Sequence, residues 1–193
     1  MQRTRAFTSV ARQARPQLDE LLLTLAAQFR PVDTCGAAER LDDYSRYLFG
    51  LARVHAEGQA GCVSHALRHD IGMQVADGDD PEHMMLDRVL DRRRGHPLLL
   101  AAVAVELVRR VGASATVCSA PARWFAAFGR APGIVLVEFG GRAERLPVSE
   151  GVRRHCAHEV AFGALAALQH AYSARARTRE AGLAGRLLRM VHA

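Results

Sequence analysis

Lysine is missing altogether: all 26 basic residues of the chain are arginine. Schiff-base lysine chemistry, a phosphate-loop lysine and a lysine general base are therefore excluded. An all-arginine complement also follows from codon bias, so by itself it does not point to a polyanionic partner. Aromatic residues are scarce at 6%, with a single tryptophan, and stand mostly in apolar contexts, so no base-stacking platform is visible. Long apolar runs are lacking too. The longest, Pro97 to Val105, is closed by Glu106, well short of the ~20 residues that span a bilayer. The cysteines Cys35, Cys62, Cys118 and Cys156 follow no framework spacing. The N-terminal MQRTRAFTSVARQARP is arginine-rich and acid-poor, and its apolar run is too short for a secretory core. The thiols then read as free, in a reducing, cytoplasmic compartment, and residues 1–14 as a flexible basic tail.

What is present is globular composition. The chain has 193 residues, 49% apolar and 24% charged, with a formal charge of +6. That suits one ordinary domain, or one domain with a small appendage. Apolar residues recur at helical spacing over Gln17 to Phe29 and over about Ala37 to His55, and a short helix is expected near Ala60 to Asp70. Asp80 precedes Pro81 as a helix cap would, and that helix stops near Arg94-Gly95. PLLLAAVAVELVRR, apolar nearly all round, predicts a central buried helix. ATVCSA, RWFAAFG, GIVLVEFG and RAERLPV, punctuated by Gly and Pro, predict strands of a small antiparallel sheet. Helices return over about Arg154 to Tyr172 and Ala176 to Val191. Helices, then strands, then a helical pair argue an α+β fold.

Three constellations invite chemistry. Cys62, His65 and His69 share one helix face, and His155, Cys156 and His158 lie close together in sequence. Both are weak zinc candidates, because neither shows paired ligand spacing; solvated helix-face residues are the plainer reading, and no metal or cofactor is expected. Cys118 sits in a strand as a conceivable nucleophile, but no histidine lies in the hairpin that follows, so a buried core cysteine is the plainer reading. Arg92 to Arg94 with Arg109 and Arg110, or Arg175, Arg177 and Arg179, would make a phosphate-binding patch. Asp87, Asp91 and Glu106 are interleaved with the first set, which favours an ion-paired face.

The residues from Asp80 to Phe125 carry a resemblance. Asp80-Pro81-Glu82, Val89-Leu90, Arg92 to Pro97, Arg109-Arg110 with Gly112, and Pro121 to Phe125 follow the pattern Asp-Pro-x-Asn-Ser, Val-Leu-x-Arg-Arg-x-Gly-Ile-Pro, an apolar helix ending in Ala-Arg-Arg-x-Gly, and Pro-Gly-His-Phe. On these residues the chain resembles the SirB-type transglutaminase-like family of bacteria, in which a transglutaminase-like core precedes tetratricopeptide-type helices. LDELLLTLAAQFRP and VEFGG look like further family segments. LAALQHAYSARARTREAGLAGRLLRMV looks like one tetratricopeptide-type hairpin, packed through Leu168, Tyr172, Ala181, Leu187 and Leu188.

The resemblance implies a papain-like core over residues 15–150 and a tetratricopeptide-like helical pair over 151–193. It also implies a cysteine at the start of the central helix, a histidine on the next strand and an acid on the one after, the thiolate attacking a carboxamide or peptide carbonyl. Here the helix begins His96-Pro97-Leu98-Leu99-Leu100, the histidine position reads Arg123, and the acid position reads Glu138. Leucine is no nucleophile, and arginine, with a pKa above about 12, is no base. The expectation is a non-catalytic accessory or regulatory module that binds a protein or peptide, not a membrane. Its old cleft would be lined by His96, Arg123, Trp124 and Glu138, with Arg123 and Glu138 paired as ions. A repurposed cysteine hydrolase or transferase, and an arginine-rich binder of nucleic acid or an acidic partner, stay open as alternatives.

Overall fold

A computed structural model describes residues 2–121, 123–129, 134–138, 143–144 and 151–192. The fold is built around the apolar helix that follows His96. Pro97 opens it at the first helical position, where a missing N–H is harmless, and it runs Pro97–Arg110 (α6, after α1–α5 below). Ten of its residues are buried, from Leu98 through Val108. On one side lie the helices Gln2–Ala11 (α1), Leu18–Phe29 (α2), Thr34–Ser45 (α3) and Leu86–Arg92 (α5), with Ala56–His65 (α4) against the strands. On the other lies an antiparallel sheet, whose strands are Ala115–Ala120 (β3), Arg123–Phe128 (β4), Val135–Glu138 (β5), Ala143–Glu144 (β6) and Arg153–His155 (β7), in the order β6-β5-β4-β3-β7. Gln74–Val75 (β1) and Arg94–Gly95 (β2) form a separate short parallel pair. The chain ends in an antiparallel-packed helix pair, Ala157–Ala174 (α7) and Thr178–His192 (α8).

Several elements differ from the sequence expectation for physical reasons. The segment read as a basic tail is helix α1, because Phe7 and Val10 are buried in the main core. The helix expected through His55 stops at Ser45; Gly50 adopts φ +82°, and two single 3-10 turns carry the chain onward. Helix α4 continues into a π-type turn at Ala66–Asp70. Pro81–Met84 is a 3-10 turn capped by Asp80, whose carboxylate accepts from the Glu82 N–H at 3.0 Å, and α5 starts only at Leu86. Arg154 and His155, expected to begin a helix, belong instead to the edge strand Arg153–His155 that pairs with β3. Of RAERLPV only Ala143–Glu144 is described; Arg142, residues 145–148, and Phe139 to Gly141 of the VEFGG segment lie outside the described residues.

The C-terminal pair shares the core of the rest: Val160, Ala161, Leu165, Leu168 and Leu187 belong to the same buried cluster as Leu21, Leu25 and Leu99. Among the described residues charge is buried in two places. Asp87 pairs with Arg30. Glu106, only 2% exposed, accepts from Arg109 and Arg110. Arg110 then reaches Asp19 of α2 and Asp42 of α3, each at 2.7 Å, so the end of α6 is tied to two neighbouring helices. Burial raises the Glu106 carboxyl above the usual range, against the pull of the arginines.

Because α1 is anchored through Phe7, the F7A variant is expected to lose about 3–5 kcal/mol of stability, measured by urea unfolding. An unchanged midpoint would mean that the helix is not part of the folded core.

Candidate functional site

The start of α6 is where the resemblance places chemistry. His96 is its N-cap: ring Nδ1 accepts the Leu98 backbone N–H at 3.2 Å, filling the role a serine or aspartate usually plays. Its imidazole is thereby engaged, and burial lowers its pKa, opposed by Asp79 and assisted by His83. Leu98, Leu99 and Leu100 are all buried. A methyl group placed on Gly163 of α7 would lie 3.2 Å from the Leu98 side chain and 3.6 Å from the Trp124 ring. The helix start, the indole and α7 therefore meet at Gly163.

Strand alternation decides what else reaches this point. In β4, Trp124, Ala126 and Phe128 face the core that contains α6, and Arg123, Phe125 and Ala127 face the opposite side of the sheet. In β5, Val135 and Val137 face α6, and Leu136 and Glu138 face away. Arg123 and Glu138 do pair, with Arg123 Nε donating to Glu138 Oε1 at 2.9 Å and the Arg123 guanidinium 5.1 Å over the Phe125 ring. The Arg123 hydrogen bond pulls the Glu138 carboxyl below its ordinary range. The pair sits on the face opposite Trp124, so the structure does not bring the four residues together: His96 and Trp124 lie on the α6 side, Arg123 and Glu138 on the other. The reason is one residue of length. Pro121 to Phe125 holds five residues where the pattern Pro-Gly-His-Phe holds four. Counted from the proline, the histidine position is Arg123; counted back from the phenylalanine, it is Trp124, and Trp124 is the residue turned toward α6.

A cluster that the sequence did not reveal lies beside that indole. His155 on β7 is opposite Val117 of β3 and so shares the α6 side. Its ring packs against Trp124 at a 5.1 Å centroid distance, and its Nε2 lies 2.7 Å from Ser119 Oγ. Its Nδ1 is 3.9 Å from Glu159 Oε2, beyond hydrogen-bond reach. Burial lowers the pKa of His155, with Glu159 opposing. The signal was absent from sequence because Ser119 and His155 are joined only by the edge pairing of β7.

The metal candidates diverge. His155 points to Ser119, Cys156 caps α7 in a reciprocal pair with Glu159, and His158 Nε2 donates to Ala11 O at 3.0 Å. Cys62 and His65 stand exposed on α4, and the π-type turn carries His69 onto the His65 ring, at a 4.8 Å centroid distance. Among the described residues no three His, Cys, Asp or Glu side chains converge as metal ligands. Cys118 is removed as a nucleophile. It is 1% exposed among Phe125, Ala127 and Leu136, burial raises its thiol pKa, and its β7 neighbour is Arg154; His155 is on the other face.

The mixed helix and sheet core agrees with the comparison to known families. The chain belongs to the transglutaminase-like superfamily, whose sequence pattern matches residues 12–184. No curated protein matches it. Among the described residues no helix is long and apolar enough to cross a membrane.

Both imidazoles near the helix start carry a pH dependence of one sign. Their folded pKa values lie below the ordinary value of about 6.5, so just below that pH the unfolded chain binds more protons than the folded one. Their contribution to stability is complete above about pH 6.5 and is lost as pH falls toward the lowered values. The melting temperature should therefore fall less between pH 7.5 and 5.0 in H96N and in H155Q than in the native chain. The half-exposed Arg123–Glu138 pair should contribute about 1 kcal/mol or less. R123E should be destabilised by about that amount and R123E/E138R largely restored, as a double-mutant cycle in urea would read.

Proposed function

We propose that this is a SirB-type transglutaminase-like protein that has lost the catalytic machinery and acts, in the cytoplasm, as an accessory or regulatory module binding a protein or peptide. The carrying observation is the start of α6. Where the resemblance implies a nucleophile, the chain has buried leucines behind an imidazole that caps the helix, and the space beside them holds the Trp124 indole. Neither Arg123 nor Trp124 supplies a base, and Glu138 faces away. A binding role is supported by aromatic surface: Phe49 is 96% exposed, with Tyr47 exposed beside it on the turns that follow α3.

The test is an assay for amine incorporation into a glutamine-bearing protein and for amide hydrolysis, run beside a cysteine-free variant of the chain. Both proteins should match the buffer blank. Turnover lost on removing the cysteines would overturn the non-catalytic reading. For the binding role, selection of a displayed peptide library on the immobilised chain should return a consensus sequence, and selection of nothing would overturn it.

One observation favours a second, enzymatic reading: the 2.7 Å contact between Ser119 Oγ and His155 Nε2, a nucleophile–base pair with Glu159 behind the ring. Fluorophosphonate labelling of Ser119 that disappears in H155Q would establish it, and an unlabelled Ser119 would dismiss it.

A further inference from the structure

The last turn of α1 and the last turns of α8 form the walls of a groove of about 920 Å³. On α8, Arg186, Arg189 and Met190 fall at i, i+3 and i+4 and so share one face; Thr8, Ala11 and Arg12 repeat that spacing at the end of α1. Between them lie Met190, 46% exposed, and the part-buried Ala11 and Val191. His158, at the start of α7, donates to Ala11 O and pins the end of α1 in place. Several other surface arginines are matched to carboxylates, Arg40 to Asp91, Arg92 to Glu82, Arg94 to Asp77, Arg153 to Glu159 and Arg177 to Glu180, while Arg53 and Arg68 stand exposed without such a match among the described residues. Arg12, Arg186 and Arg189 have no carboxylate partner among the described residues, yet they converge on one apolar-floored groove. Most of the groove also lies outside the superfamily match at residues 12–184: Thr8 and Ala11 precede it, and Arg186 to Val191 follow it.

We infer that this groove is a docking site for an acidic, amphipathic peptide segment of a partner protein. Three guanidinium groups around one concavity repel each other, and carboxylates placed between them relieve the repulsion through charge-assisted, bidentate hydrogen bonds. The floor of Ala11, Met190 and Val191 accepts the apolar side of the same segment, and methionine adapts its shape to what it meets. A nucleic acid strand fits less well, because among the described residues no Phe, Tyr or Trp lines the groove to stack a base, and the His158 ring is held on Ala11.

The inference rests on the reading of the chain as a binding module and gives that module a surface. The test is fluorescence anisotropy with the intact chain and a labelled 16-residue peptide carrying leucine and glutamate on opposite helix faces. R186E/R189E should weaken binding ten-fold or more. R53E/R68E, which changes the net charge equally at exposed arginines away from the groove, should stay within two-fold of the native chain. Equal losses in both variants would reduce the effect to net charge and overturn the inference. So would tighter binding of a 16-nucleotide oligothymidine than of the peptide, or peptide binding that R186E/R189E leaves untouched. A consensus selected from the peptide library that binds R186E/R189E as well as the native chain would sink the groove while leaving the binding module standing. A chain that selects no peptide at all would sink that reading itself.

Discussion

Helix α6 is buried on every side, and the rest of the chain is arranged to keep it dry. Leu98 to Ala104 are closed in by the sheet below and by α2, α3, α5 and α7 around them. The exception along its length is Glu106. An unpaired carboxylate there would be strongly destabilising, so the burial of Glu106 obliges Arg109 and Arg110 to turn back onto it. Once turned, Arg110 meets Asp19 and Asp42 and fixes α2 and α3 against the helix end. One buried charge therefore sets the position of two further helices. The same demand for a dry helix accounts for the buried leucines at its start.

The second constraint is the period of a β-strand. A strand offers its neighbours only every other residue, so the chemistry on one side of the sheet depends on register as much as on composition. Trp124 and His155 reach the α6 side while Arg123, Glu138 and Cys118 are turned from it. Arg123 and Glu138, on adjacent strands and facing one way, become an ion pair, and Cys118 becomes core. The indole of Trp124 thus lies beside the start of α6, and Arg12, Arg186 and Arg189, without carboxylate partners among the described residues, line one groove.

Much of the helical layout was legible. The central helix, the helix before Pro31 and the final pair carry apolar positions at helical spacing, and β3 runs through ATVCSA as its β-branched alternation suggests. Other elements were not legible because their stabilising partners are distant in sequence. Helix α1 reads as a basic tail until Phe7 finds a core made by residues far along the chain. Residues Arg153–His155 have no strand signal of their own; they are a strand because β3 leaves an edge unpaired. At the site, His96 was placed correctly beside the helix start by its Pro97 neighbour, whereas Ser119 and His155 met only through that edge pairing.

The sequence alone determined that lysine chemistry is absent, that one apolar helix lies at the centre, and that no nucleophile stands at its start. Those are properties of residue type and local period, which need no partner to be read. Tertiary structure decided which side of the sheet each polar residue occupies, that the chain's two ends come together, and that Arg12 and Arg189 face one groove. Such facts depend on register and on contacts between segments separated by most of the chain, where local propensity is silent and burial chooses.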